Sequence, residues 1–69
     1  MTIGQSIRQH RKRLGISQLD LANRLGIQPI SISWWENDKV FPSILNTIGL
    51  ADAFGITLDE LVGRKVETK

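Results

Sequence analysis

The chain has 69 residues, 41% of them hydrophobic, no cysteine and a formal charge of +2. This is enough for one small domain with a modest core, and it excludes disulfide scaffolds, thiol chemistry and cysteine-held metals. No apolar run approaches the ~20 residues of a membrane-spanning helix, and the opening Met1-Thr2-Ile3-Gly4-Gln5 lacks the basic-then-apolar order of a signal peptide, so a cytoplasmic protein without membrane contact is expected.

Turn and cap signals divide the chain into five helices. Thr2 with Gln5 fits a capping box, followed by Ile3, Ile7 and Leu14 at helical spacing, and Gly15 closes the first helix. Ser17 with Asp20 repeats the cap for a second helix carrying Leu21, Ala22 and Leu25, with Ile16 and Leu21 placed as a hydrophobic staple; Gly26 ends it. A third helix starts near Gln28 with Pro29 at its first position, where a missing N–H does no harm. Ile27 and Ile32 form its staple, and it leaves at Asn37-Asp38, residue types that tolerate the left-handed conformation. Within it, Ile30-Ser31-Ile32-Ser33 alternates like a strand, but the proline start and the surrounding helices favour helix.

After the loop Lys39-Val40-Phe41-Pro42, Ser43 caps a fourth helix with Ile44, Ile48, Ala51 and Phe54 expected on its inner face; Leu45 then falls outside. Gly49 inside this helix should weaken it by roughly 1 kcal/mol relative to alanine. Gly55 ends it. Thr57 with Glu60, and Ile56 with Leu61, then repeat the box and the staple for a short fifth helix carrying Leu58, Leu61 and Val62, closed by Gly63. The expected architecture is all-α: a compact five-helix domain over residues 1–63, with a polar tail at 64–69.

Charge is uneven. Met1 to Lys39 carries six Lys/Arg against three Asp/Glu, and Val40 onward carries three against four, so the halves are +3 and −1. A basic half suits an anion such as a phosphate backbone, and basic residues near the end of the first helix also complement its dipole. The stretch Gln18 to Glu36 holds two short helices joined through Gly26, with Ala22 allowing close approach and Ile32 and Trp35 turned back onto the first of the pair. That is the helix-turn-helix layout, whose second helix lies in the major groove of DNA.

With these residues in view the chain resembles the phage Cro and cI repressor-type (XRE-like) helix-turn-helix family, whose fold is the lambda-repressor-like DNA-binding domain. The resemblance is carried by Ile7, Arg11-Lys12-Arg13-Leu14-Gly15-Ile16-Ser17-Gln18, Leu21-Ala22-Asn23-Arg24-Leu25-Gly26-Ile27, Ile32-Ser33-Trp34-Trp35-Glu36-Asn37, Pro42-Ser43 and the run from Ala51 to Leu61. It implies that Gln18 reaches a phosphate and braces the reading helix, and that Arg11 and Glu36 form an internal salt bridge. It implies further that Asn37 and Lys39 contact the DNA backbone, and that N–H groups from Pro42 to Ile44, around Ser43, cradle a phosphate. The implied base-reading positions are Gln28, Pro29, Ile30, Ser33 and Trp34, with Ser31 beside them.

At those positions the chain departs from the polar residues common in the family. Only Gln28 can make a bidentate contact with adenine, Ser33 one hydrogen bond, and Pro29 and Ile30 only apolar contacts such as those to thymine methyls. Trp35 falls inward with Ile32, whereas Trp34, about 100° around the helix, faces the DNA side. Ile30, Trp34, Val40, Phe41 and Leu45 could form an exposed apolar patch, a usual mark of a protein interface; Leu58 is a further candidate, and the alternative tucks Phe41 into the core.

Two functions follow. The first is a DNA-binding transcriptional regulator acting on double-stranded DNA as a homodimer, because one small domain makes few contacts and a two-fold dimer doubles them. The second is a modulator that uses the apolar face of the third helix to bind a partner repressor protein. No enzyme, metal or cofactor is expected: His10, the sole histidine, reads as a solvated surface residue, and no phosphate loop, metal-spacing motif or nucleophile elbow is present.

Overall fold

Local signals set the helices before any packing is considered. The computed structural model describes residues 1–63 and comprises α1 (Ile3–Arg13), α2 (Gln18–Leu25), α3 (Pro29–Glu36), α4 (Ile44–Phe54) and α5 (Leu58–Val62), with no strand among the described residues. The tail expected at 64–69 lies outside them. Thr2, Ser17 and Thr57 each accept from the backbone three residues on, and Gln5, Asp20 and Glu60 reach back, completing three capping boxes. Ser43 caps α4 through the Asn46 N–H. Each such cap contributes about 1 kcal/mol, a large share of the stability of so short a chain. α3 alone starts without a side-chain cap, and Pro29 removes one of the N–H groups that would have needed one.

The turn between α2 and α3 depends on Gly26, held at φ 68° and ψ 34°, which a residue with a Cβ adopts only under strain. This reversal lays α2 against α3; α1 crosses α3, and α4 and α5 close the other side. The core is Ile7, Leu21, Ala22, Ile32, Trp35, Leu50, Ala51, Phe54 and Leu61, with the staple residues Ile16, Ile27 and Ile56 half-buried around it.

One expectation about a helix face is overturned in part. Ala51 and Phe54 of α4 are buried as expected, but Ile44 and Ile48 are exposed, and Thr47 and Leu50 take their place on the inner face. This stripe has the same helical spacing, rotated around the axis. Thr47 can lie inside because its hydroxyl donates to the Ser43 carbonyl at 2.8 Å, leaving no polar group unpaired. Gly49 fits the rotation: a Cβ there would stand 2.8 Å from Leu25 Cδ2, so its absence lets α4 press on α2. Leu14, which shares the helical spacing of Ile3 and Ile7, is exposed at the C-cap of α1.

Candidate nucleic-acid interface

The position of α3 is fixed by one carboxylate. Glu36, in its last turn, has a side chain only 2% exposed. It accepts from Arg11 Nε at 2.6 Å and Arg11 Nη2 at 3.1 Å, a two-toothed grip from α1, and from Gln18 Nε2 of α2 at 3.2 Å. Arg11 Nη1 also donates to the Ile16 carbonyl at 2.9 Å, so one guanidinium ties α1, the α1–α2 turn and α3 together. The hydrogen bond to Glu36, helped by that residue's charge, holds the Arg11 guanidinium above its ordinary pKa against the opposing effect of partial burial. Arg8 Nε stands 3.8 Å from the same carboxylate, with most of its side chain in solvent. The sequence pointed to Arg11, Gln18 and Glu36 but not to Arg8.

Against this brace, the opening of α3 faces solvent. Gln28, Pro29 and Ile30 are exposed, and Trp34, one turn beyond Ile30, is 43% exposed, whereas Trp35 is 4% exposed and in the core. Ser31 and Ser33 are half-buried. The Asn37 amide, expected to point at the DNA backbone, donates to the Ser33 carbonyl at 2.8 Å and approaches its hydroxyl at 3.4 Å, closing the helix. Lys39 and Ser43 are exposed on the loop that follows, with the Ser43 hydroxyl engaged as the α4 cap. The Gln18 amide nitrogen is turned to Glu36, which fits bracing.

The apolar candidates are outside. Phe41 is 75% and Leu45 77% exposed, with Val40, Ile44, Ile48 and Leu58 also open to solvent, so Phe41 does not tuck into the core. His10 is not the solvated residue expected: it is half-buried and stacks on Phe54, with ring centroids 5.6 Å apart. Among the described residues no group of three or more His, Cys, Asp or Glu could hold a metal ion, and no helix is long and apolar enough to cross a membrane.

Asp38 has a second role that its position in the sequence does not show. As the sequence suggests for a helix exit, it is left-handed, at φ 58°. Its carboxylate also accepts from Thr2 Oγ1 at 2.7 Å and from the Gly4 N–H at 3.0 Å, sitting on the N-terminus of α1. A glycine in the first turn of a helix was the available signal: a Cβ at Gly4 would collide with the Trp35 carbonyl and with this carboxylate.

A family model described as a helix-turn-helix domain matches residues 4–65. The chain belongs to this helix-turn-helix family, in its Cro/cI-type (XRE-like) form. It is 33% identical over 64 residues to the cryptic phage CTXphi transcriptional repressor RstR of Vibrio cholerae, covering 93% of this chain and 57% of that one. The P22 c2 repressor, solved in complex with a synthetic operator, superposes with a TM-score of 0.87 at 31% identity, over 94% of this chain and 98% of the solved one. The restriction-modification controller protein C.AhdI of Aeromonas hydrophila superposes at 0.81 with 32% identity, over 86% and 89% of the two chains. The helix-turn-helix chain spans only part of the curated phage repressors it matches, 28% of the full Salmonella phage P22 repressor and 48% of the Bacillus phage phi105 immunity repressor. These relatives are named as repressors and regulators, not as enzymes.

Proposed function

We propose that this chain is a DNA-binding transcriptional regulator that lays the exposed side of α3 in the major groove of double-stranded DNA. The observation that carries this reading is the solvent-open start of a helix whose other side is clamped by Glu36 to Arg11 and Gln18, on a fold shared with a repressor solved on its operator. Gln28 is the one side chain suited to a bidentate base contact; Pro29, Ile30 and Trp34 offer apolar contact, with Ser31 and Ser33 at its edge. Lys39, and the amides of Pro42 to Ile44 beyond their proline, are the phosphate-side groups that set register. A cytoplasmic location and the absence of catalysis follow from such a role.

The regulator is further proposed to pair as a homodimer. From Val40 to Ala51 the chain contains no ionisable residue, and Phe41, Ile44, Leu45 and Ile48 within that segment are exposed. A two-fold interface brings a patch against its own copy, so an uncharged apolar patch meets itself without repulsion. A second reading, binding of a partner repressor through α3, is favoured by one observation: Ile30 and Trp34, both large and apolar, are exposed one turn apart on that helix.

The test is fluorescence anisotropy with labelled duplexes from the DNA flanking the gene, repeated across salt concentrations. Binding should select one duplex over scrambled sequence and weaken with a log–log slope of about −0.9 for each phosphate neutralised. Salt-insensitive or sequence-blind binding sinks the DNA reading. Loss of a repressor partner in Trp34→Ala, with DNA affinity intact, establishes the second reading instead.

A further inference from the structure

Asp38 is in a left-handed backbone conformation that glycine adopts freely and aspartate tolerates at a modest cost, at φ 58°. What aspartate adds there is its carboxylate. One oxygen accepts from Thr2 Oγ1 at 2.7 Å and the other from the Gly4 N–H at 3.0 Å. Both donors belong to the start of α1, where unpaired N–H groups and the helix dipole favour an anion. Thr2 is used twice, accepting from Gln5 N as the α1 cap and donating to Asp38. Gly4 leaves the space the carboxylate needs. The junction therefore joins the start of α1 to the loop leaving α3, at the far end of that loop from the Ser43 cap.

On either side of Asp38 lie groups that the DNA reading uses. The Asp38 and Lys39 N–H groups bond back to the Trp35 and Trp34 carbonyls at 3.1 and 2.9 Å, so the path of the chain into Lys39 is set by the end of α3 and by the Asp38 latch together. Lys39 is the sole cation between Arg24 and Arg64. We propose that Asp38 is a positioning residue for DNA binding: by latching the α3–α4 loop to α1 it holds Lys39 at a fixed offset from the reading helix, so that base contact and phosphate contact are made together. This rests on the DNA reading above and adds the coupling of Asp38 to Lys39.

The test is a double-mutant cycle on DNA affinity with Asp38→Gly and Lys39→Ala. Asp38→Gly removes the latch while relieving the left-handed strain, so circular dichroism should show a folded chain. In the wild type, Lys39→Ala should weaken binding about fivefold and reduce the log–log salt slope by about one. In the Asp38→Gly background the same change should cost less than about twofold, because the lysine is no longer held in place. Asp38→Asn, which tolerates the same backbone and keeps an acceptor, should restore most of the coupling. If Asp38→Gly does not fold, Thr2→Ala, which removes one donor, takes its place in the cycle. Additive effects, with Lys39→Ala costing the same in both backgrounds, overturn the proposal even where the wild type binds DNA. Failure of the wild type to bind any duplex removes the DNA reading, and this proposal with it.

Discussion

Glu36→Ala tests the brace under α3. The substitution strips the partner from an Arg11 side chain that is only 11% exposed and leaves the Gln18 amide nitrogen without its acceptor. Breaking one side of a buried ion pair costs about 3–5 kcal/mol, chiefly because the remaining charge is left without compensation. Arg11 keeps its bond to the Ile16 carbonyl and some access to water, which favours the lower end, about 3 kcal/mol. At roughly 4–8 °C per kcal/mol for a domain of this size, the melting temperature should fall by about 12–24 °C. The double variant Arg11→Met/Glu36→Leu removes both charges and fills their space with apolar groups, so it should recover more than half of the loss. Thermal and urea unfolding followed by circular dichroism measure both. A Glu36→Ala loss below about 1 kcal/mol, or a double variant no more stable than the single one, would refute the claim that this carboxylate holds the helices together. The pair's pH dependence has a definite sign. A guanidinium whose pKa is raised on folding contributes fully below its unfolded value and loses the contribution only as pH climbs through the folded one. Arg11 therefore adds no change in stability between about pH 7 and 10.

The two adjacent tryptophans should behave oppositely. Trp35→Ala empties a core position and should cost about 3–5 kcal/mol by urea unfolding, whereas Trp34→Ala should cost less than about 1 kcal/mol and act instead on duplex or partner affinity; equal destabilisation by both would contradict the assigned faces. Gly4→Ala sets a Cβ against the Trp35 carbonyl and the Asp38 carboxylate, and should destabilise by about 1–3 kcal/mol through overpacking; a variant as stable as the wild type shows that the junction is slack. Leu45→Glu should leave the fold intact and, if α4 meets its own copy, shift sedimentation toward monomer at concentrations where the wild type pairs; unchanged sedimentation removes that face from the dimer. Gln28→Ala should relax preference at one base pair, by about 1–3 kcal/mol of discrimination, in a competition series of single-base duplex variants; uniform weakening across the series assigns Gln28 a backbone contact instead.

The helix boundaries were legible because they are chemically local. Thr2, Ser17, Ser43 and Thr57 each sit three residues ahead of the N–H they cap, and no tertiary contact is needed to see the pattern. The face of α4 was not local. Apolar residues run almost around that helix, so spacing alone does not choose between the stripe through Ile44 and Ile48 and the one through Thr47 and Leu50 that the structure buries. The decision came from outside the helix: Gly49 allows α4 to press on Leu25 of α2, and Thr47 satisfies itself on the Ser43 carbonyl. Ile44 and Ile48 were displaced to the surface as a consequence.

The candidate interface divides in the same way. Arg11, Glu36 and the outward face of α3 could be placed because they follow from a helical register and from the resemblance to a repressor family. The latch at Asp38 could not, because its partners Thr2 and Gly4 lie more than thirty residues earlier and meet it only once α1 has crossed α3. The structural consequence runs past this one residue. Glu36 ties the last turn of α3 to the side of α1, and Asp38, two residues on, ties the departing chain to the start of α1. Two carboxylates so close in sequence thus hold one helix from two points along α1, which resists both rotation and sliding of α3. Stepping α3 around by one residue would carry Trp35 out of the core to the exposed position of Trp34 and turn Trp34 to the half-buried position of Ser33, so holding the helix in place and presenting its outward chemistry are one requirement met by these two acids.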